Sequence, residues 1–170
     1  MLRWGLRRTD VAGFTLIEAL VTISILALIT AFAAPSFEGI LANFRVRTSA
    51  EAIMSGLQLA RIEALRRNQP VSFTLTTGTA DWAVATVSPS SPIQASKGNG
   101  AGNLSIATNS DQTAVTFVSS GMVDASGSHL QQIDISSDLT NRQLRIAVHN
   151  GGQLQLCDPT ITISGDPRTC

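Results

Sequence analysis

A run of apolar residues near the start of the chain, GFTLIEALVTISILALITAFAAP at 13–35, limits the folds open to it more than any other feature. Between Phe14 and Ala34, Glu18 is the one ionisable side chain. About 20 apolar residues are what an α-helix needs to cross the hydrocarbon core of a bilayer, so the run predicts a transmembrane helix over 14–37. A cleaved secretory signal is the alternative, because AFAAP at 31–35 supplies small residues of the kind found at such cleavage sites. Two features oppose it. The run exceeds the usual signal core, and a carboxylate at mid-bilayer costs about 2.5–3.5 kcal/mol unless something compensates. Glu18 lies only one turn into the run, so snorkelling to the interface is a second way to accommodate it.

Charge sets the orientation. Arg3, Arg7 and Arg8 precede the run with Asp10 as the sole acid beside them, which predicts a cytoplasmic N-terminus and a globular part on the opposite side. Over the 170 residues, 12 basic and 12 acidic side chains balance, so net charge points to neither nucleic acid nor an anionic surface. The length allows one modest domain and an appendage.

Beyond Pro35 the pattern stays helical. Val46, Ala50, Ile53, Leu57, Ala60 and Ala64 recur at steps of three and four and form one apolar stripe. Arg45, Arg47, Glu51, Arg61, Arg66 and Arg67 fall mainly off it. The helix is expected to end near Asn68, before Pro70, with Pro35 and Gly39 as points of bending. After Pro70 the period becomes two in VSFTLTT (71–77) and DWAVATV (81–87), a hairpin about the turn at Gly78. Residues 88–103, SPSSPIQASKGNGAGN, read as an exposed loop. Further strands are expected at 104–107, 114–119, 130–136, 142–148 and 153–157, forming a largely antiparallel sheet on the stripe.

If the chain were cut between Gly13 and Phe14, the new α-amino group would lie four residues before Glu18, close enough to pair with it or with a neighbour's. GFTLIEALVTISILALI resembles the class III signal of type IV pilins and type II secretion pseudopilins: Gly before the cut, Phe after it, Glu four residues on, and Pro35 where this family commonly has a proline in its helix. QLARIEALRRNQPVSF (58–73) and the F-x-x-x-G turn in FVSSGMVD (117–124) are similar to the pseudopilin H and FimT/FimU minor pilin family. The resemblance implies a prepilin peptidase that cuts after Gly13 and N-methylates Phe14. It also implies that Glu18 neutralises the N-terminus of an adjacent subunit during assembly. Implied partners are that peptidase, other minor pilins or pseudopilins, an inner-membrane assembly platform and membrane lipid.

Cys157 and Cys170 enclose 12 residues near the end of the chain. On the far side of the membrane a disulfide persists. A staple is favoured over a redox or metal role, because the spacing fits no zinc or thioredoxin-like pattern. A comparable loop occurs in FimT/FimU-type minor pilins, whereas pseudopilin H sequences commonly lack it. Some FimT-like pilins bind DNA through a segment resembling G-R-x-R. The corresponding GGQLQLCDP (151–159) has Gln153 and Gln155 where arginines would be needed. Arg142, Arg145 and Arg168 remain as a weak DNA patch. Three bases and one acid leave with the leader, so 9 basic and 11 acidic residues remain, and nucleic acid is disfavoured.

Ser120, His129, Asp134 and His149 can be arranged on paper as a hydrolase triad, but no G-x-S-x-G elbow is present. GNGAG (98–102) reads as loop, and Trp82 as core packing. The expectation is therefore an α+β, type IV pilin-like fold: leader 1–13, transmembrane and assembly helix 14–37, and periplasmic domain 38–170. The domain is a long helix on an antiparallel sheet with a C-terminal disulfide loop. No catalytic residue, cofactor or metal site is expected.

Overall fold

A computed structural model of the chain describes residues 13–98, 103–109, 111–163 and 165–170, with the side chains of 33–36 not among those described. Arg3, Arg7, Arg8 and Asp10 of the leader, the side chain of Pro35 and most of the 98–102 glycine cluster lie outside the described residues. Helix α1, Leu16–Arg67, enters two compact units, Met1–Phe37 and Glu38–Cys170.

In the first unit the helix opens on Thr15, whose Oγ1 accepts the backbone N–H of Glu18 at 3.3 Å. This is half of a T-x-x-E capping box, and it satisfies one of the four donors that a helix start leaves unpaired. Within the apolar run the hydroxyls turn back on their own helix: Thr22 donates to Ala19 O (2.8 Å), Ser24 to Leu20 O (2.7 Å) and Thr30 to Leu26 and Ala27 O. Such bonds remove the polar cost of a hydroxyl in an apolar surrounding. Leu16, Ile17, Ile23, Leu26, Leu28, Ile29 and Phe32 are all more than half exposed.

No single helix among the described residues is both long and apolar enough to cross a membrane. The stretches Leu16–Phe32 and Phe37–Arg67 meet that condition together, by length and composition only. Leu16–Phe32 alone is shorter than the roughly 20 residues a span requires.

In the second unit the stripe is buried as its spacing predicts: Ala42, Val46, Ala50, Ile53, Leu57, Ala60 and Ala64 are all at most 1% exposed. The helix ends in a Schellman motif. Asn68 takes φ +52°, its N–H donates to Leu65 O, and the Gln69 N–H donates to Ala64 O. Asparagine tolerates that left-handed conformation, and Pro70 prevents the helix from continuing.

Among the described residues eight strands follow: β1 Val71–Leu75, β2 Trp82–Thr86, β3 Ser91–Ser96, β4 Leu104–Thr108, β5 Ala114–Phe117, β6 Gln132–Ser137, β7 Thr140–Val148 and β8 Leu154–Cys157. The expected sheet is divided into two four-stranded antiparallel sheets, β3-β2-β1-β5 and β4-β6-β7-β8. The chain leaves the first sheet at β4, returns to it with β5, and then completes the second. Alternation along a strand shows which face is buried but not which strand it pairs with.

Facing rows such as Phe73↔Val84, Ile106↔Ile135 and Ile133↔Ile146 send one face of each sheet inward. One core cluster joins those faces to the helix stripe. Trp82 is in this core, as expected, with its ring 6.0 Å from Phe73 across the hairpin. The segment expected to be wholly loop contains β3. Ser91–Ser96 is an edge strand in which only Ile93 and Ser96 are half-buried, Ile93 against the core, so it lacks the apolar alternation that marks a strand, and its Pro92 is tolerated because an edge has fewer bonds to lose.

Candidate assembly site

Phe14 is 85% exposed and precedes the helix cap, while Glu18 is the third residue of the helix. The two therefore do not share a helix face in the uncut chain, because Thr15 caps the helix and leaves Phe14 outside it. An acid in the first turn opposes the positive end of the helix dipole. Among the described residues the Glu18 carboxylate has no ion-pair partner. The site thus consists of the Gly13–Phe14 pair next to an exposed apolar helix bearing one acid without an ion pair among the described residues. The T-x-x-E spacing at 15–18 was legible in the sequence and signals the cap.

At the other end of the chain, Cys157 and Cys170 form the expected disulfide, their Cα atoms 5.1 Å apart. The loop they close is held by backbone bonds as well, Asp158 N–H to Arg168 O (2.7 Å) and Thr169 N–H to Asp166 O (3.0 Å). Arg168 donates from Nε and Nη2 to Asp166 at 3.1 and 2.8 Å, and this holds the Asp166 carboxyl down at about 2. Beside the loop lies a cleft of about 190 Å³ lined by Arg47, Glu51, Arg142, Leu144, Leu156, Cys157, Asp158 and Arg168.

The three arginines of the sequence patch do not form one surface. Arg142 and Arg168 line this cleft. Arg145 lies at odd spacing from Arg142 along β7, so it points to the other face of the sheet. There it makes a fork with the facing Asp134, at 2.6 and 3.0 Å. Arg47, read only as lying off the helix stripe, is instead a wall of the cleft.

The paper triad is not assembled. Asp134 bonds Arg145 and Gln132, the His129 ring contacts Gly127 O, and no hydrogen bond joins Ser120, His129, Asp134 or His149 to one another among the described residues.

The F-x-x-x-G turn proves to be a junction. Gly121, at φ +76°, presents its carbonyl to Arg61 Nε at 3.0 Å, and the Val123 N–H donates to Asn150 O at 3.0 Å. The turn thus ties the helix to the β7–β8 turn.

Residues 8–34 match the prokaryotic N-terminal methylation motif, and residues 49–152 match the family described as type II transport protein GspH. The chain belongs to the GspH family. The family match begins on the buried helix stripe and stops before β8, so the disulfide loop lies beyond it. The fold is that of solved pilins. It is similar to the type IV minor pilin FimU of Pseudomonas aeruginosa, with a TM-score of 0.57 and 18% identity over 71% of this chain and 97% of that one. It is also similar to the minor pseudopilin EpsH from the type 2 secretion system of Vibrio cholerae, with a TM-score of 0.54 and 17% identity over 69% of this chain and 99% of that one. No curated protein matches. The GspH family assignment and the methylation motif together make this chain a minor pilin or pseudopilin.

Proposed function

We propose that the chain is a minor pilin that enters a type IV pilus, in the complex that initiates or tips the fibre. Prepilin peptidase cuts between Gly13 and Phe14 and methylates the new amine of Phe14. The protein then waits in the inner membrane as a single-pass protein, with the leader side cytoplasmic and residues 38–170 periplasmic, until the assembly platform delivers it to a filament of other minor pilins.

The observation that carries this reading is the exposed apolar helix of the first unit with the unmatched Glu18 in its first turn. Lipid alone would cover the apolar surface, but it leaves the carboxylate costly. A neighbouring subunit's N-terminal amine supplies both the charge and the packing. Pro35 sits within the same helical stretch, where it weakens the helix by removing a backbone donor. The C-terminal disulfide loop favours a pilus over a pseudopilus, since it is the FimT/FimU-type feature that pseudopilin H commonly lacks. The family's description favours the second reading, pseudopilin H of a type II secretion pseudopilus.

Co-expression of the full chain with a prepilin peptidase, followed by mass spectrometry, tests the first step. N-methylated Phe14 is expected, with Gly13→Ala uncut. A cut near Ala34 overturns the reading. Glu18→Leu is expected to be cut and to remain in the membrane, yet to be missing from sheared filaments. Deletion in the source bacterium then separates the two systems: loss of twitching supports the pilus, and loss of protein export supports the pseudopilus.

A further inference from the structure

The cleft beside the disulfide loop is lined by α1, β7, β8 and the loop, three of which contribute a guanidinium: Arg47 from α1, Arg142 from β7 and Arg168 from the loop. Two of these are already engaged. Arg47 Nε donates to Glu51 at 2.8 Å, and Arg168 holds Asp166 in a fork. Arg142 differs. It falls two residues before the buried Leu144 and so shares its face of β7. Its backbone N–H is taken by Thr140 Oγ1, while its guanidinium has no partner among the described residues. The cleft therefore holds one guanidinium, that of Arg142, and one carboxylate, that of Asp158, without an ion pair among the described residues, and Leu144 and Leu156 line it beside them.

We propose that this cleft is a docking site for a carboxylate side chain of a partner protein, an acidic residue flanked by apolar ones. The occupant follows from complementarity. A guanidinium fork matches a carboxylate in two parallel bonds, and Leu144 and Leu156 accept the aliphatic stem and its apolar neighbours.

A nucleic-acid strand fits the same cleft poorly. Glu51 and Asp158 stand in the cleft wall, where they repel the successive phosphates of a polyanion but leave room for a single carboxylate beside Arg142. Leu156, Cys157, Asp158 and Arg168 all lie past residue 152, and Arg47 lies before residue 49, so most of the site is outside the stretch that defines the family. The proposal holds for a pilus and a pseudopilus alike.

The test titrates the full chain in detergent micelles with two fluorescent peptides, acetyl-Ala-Leu-Glu-Leu-Ala-amide and its Gln analogue. At low salt the Glu peptide is expected to bind roughly tenfold tighter, the scale of one charge-assisted bond. R142Q is expected to erase that difference, R142K to restore part of it, and R168Q to reduce it. Arg142 is exposed, so R142Q is expected to keep the thermal midpoint of the parent, which the same samples report. Equal binding of the two peptides, binding of neither, or a difference that survives R142Q overturns the proposal. A duplex oligonucleotide serves as a third probe: tight binding with a steep salt slope that R142Q lowers would assign the cleft to phosphate and also overturn it.

Discussion

Glu63 is buried at the end of the stem helix, and Arg66 and Arg67 close over it with bonds of 2.6–2.9 Å. The bond from Arg66, then that from Arg67, lowers its carboxyl to about 2 from an ordinary value of 4.5. A depressed carboxylate contributes stability that is fully present above its unfolded value and is lost as pH falls toward its folded one. Glu63→Gln is therefore expected to lower stability by about 1 kcal/mol near neutrality, the figure being modest because Arg66 remains largely in solvent and Arg67 partly so. That deficit should fade between about pH 4.5 and pH 2, as read by denaturant melts of the two proteins across that range. The E-x-x-R-R spacing was visible in the sequence. Its burial was not, because Glu63 lies next to Ala64 on a stripe whose edge only the sheets define. Gly152 is a second such residue: it holds φ +77°, and a Cβ there would collide with the Gly121 carbonyl oxygen. Gly152→Ala is expected to cost about 2 kcal/mol or more, measured as a shift in the unfolding midpoint.

At the scale of elements, two glycines of the same helix should respond in opposite directions. A Cβ at Gly56 would stand 2.8–2.9 Å from the indole of Trp82, which is itself 5% exposed and stacked on Phe73. Overpacking of that kind costs about 1–3 kcal/mol, more than the ~1 kcal/mol gained by placing alanine in a helix. A Cβ at Gly39 would meet only Leu139 O, at an ordinary 3.6 Å. Gly39→Ala is thus expected to stabilise by about 0.5–1 kcal/mol and Gly56→Ala to destabilise by about 1 kcal/mol, both read by thermal or urea unfolding. The helix, its stripe and its end were all legible because a 3.6-residue period is a local signal. The strands were legible wherever one face is buried, as in β1 with Val71, Phe73 and Leu75. Strand β3 escaped because four of its six residues are exposed and Ile93 is its one apolar side chain packed on the core.

For the molecule as a whole, the disulfide is the restraint with the clearest expected size. Closing a loop of this length contributes about 3 kcal/mol in the chain-entropy account. Cys157→Ser with Cys170→Ser is expected to lose that amount or less, because backbone bonds from Asp158 and Thr169 still hold the loop. Limited proteolysis should then cut the released loop before the sheets. Sequence alone determined the elements that local chemistry dictates: the apolar run with its single acid, the Gly13–Phe14 pair, the amphipathic stem, the alternating strands and the pair of cysteines. Only the tertiary structure decided that the strands divide into two sheets and that Arg145 faces away from Arg142. It also decided that Arg47, Arg142 and Arg168 converge on one cleft although they are far apart in the chain. The reason is physical. Periodicity and caps act over a few residues, whereas strand pairing and the meeting of side chains from distant elements depend on contacts that no short window of sequence contains.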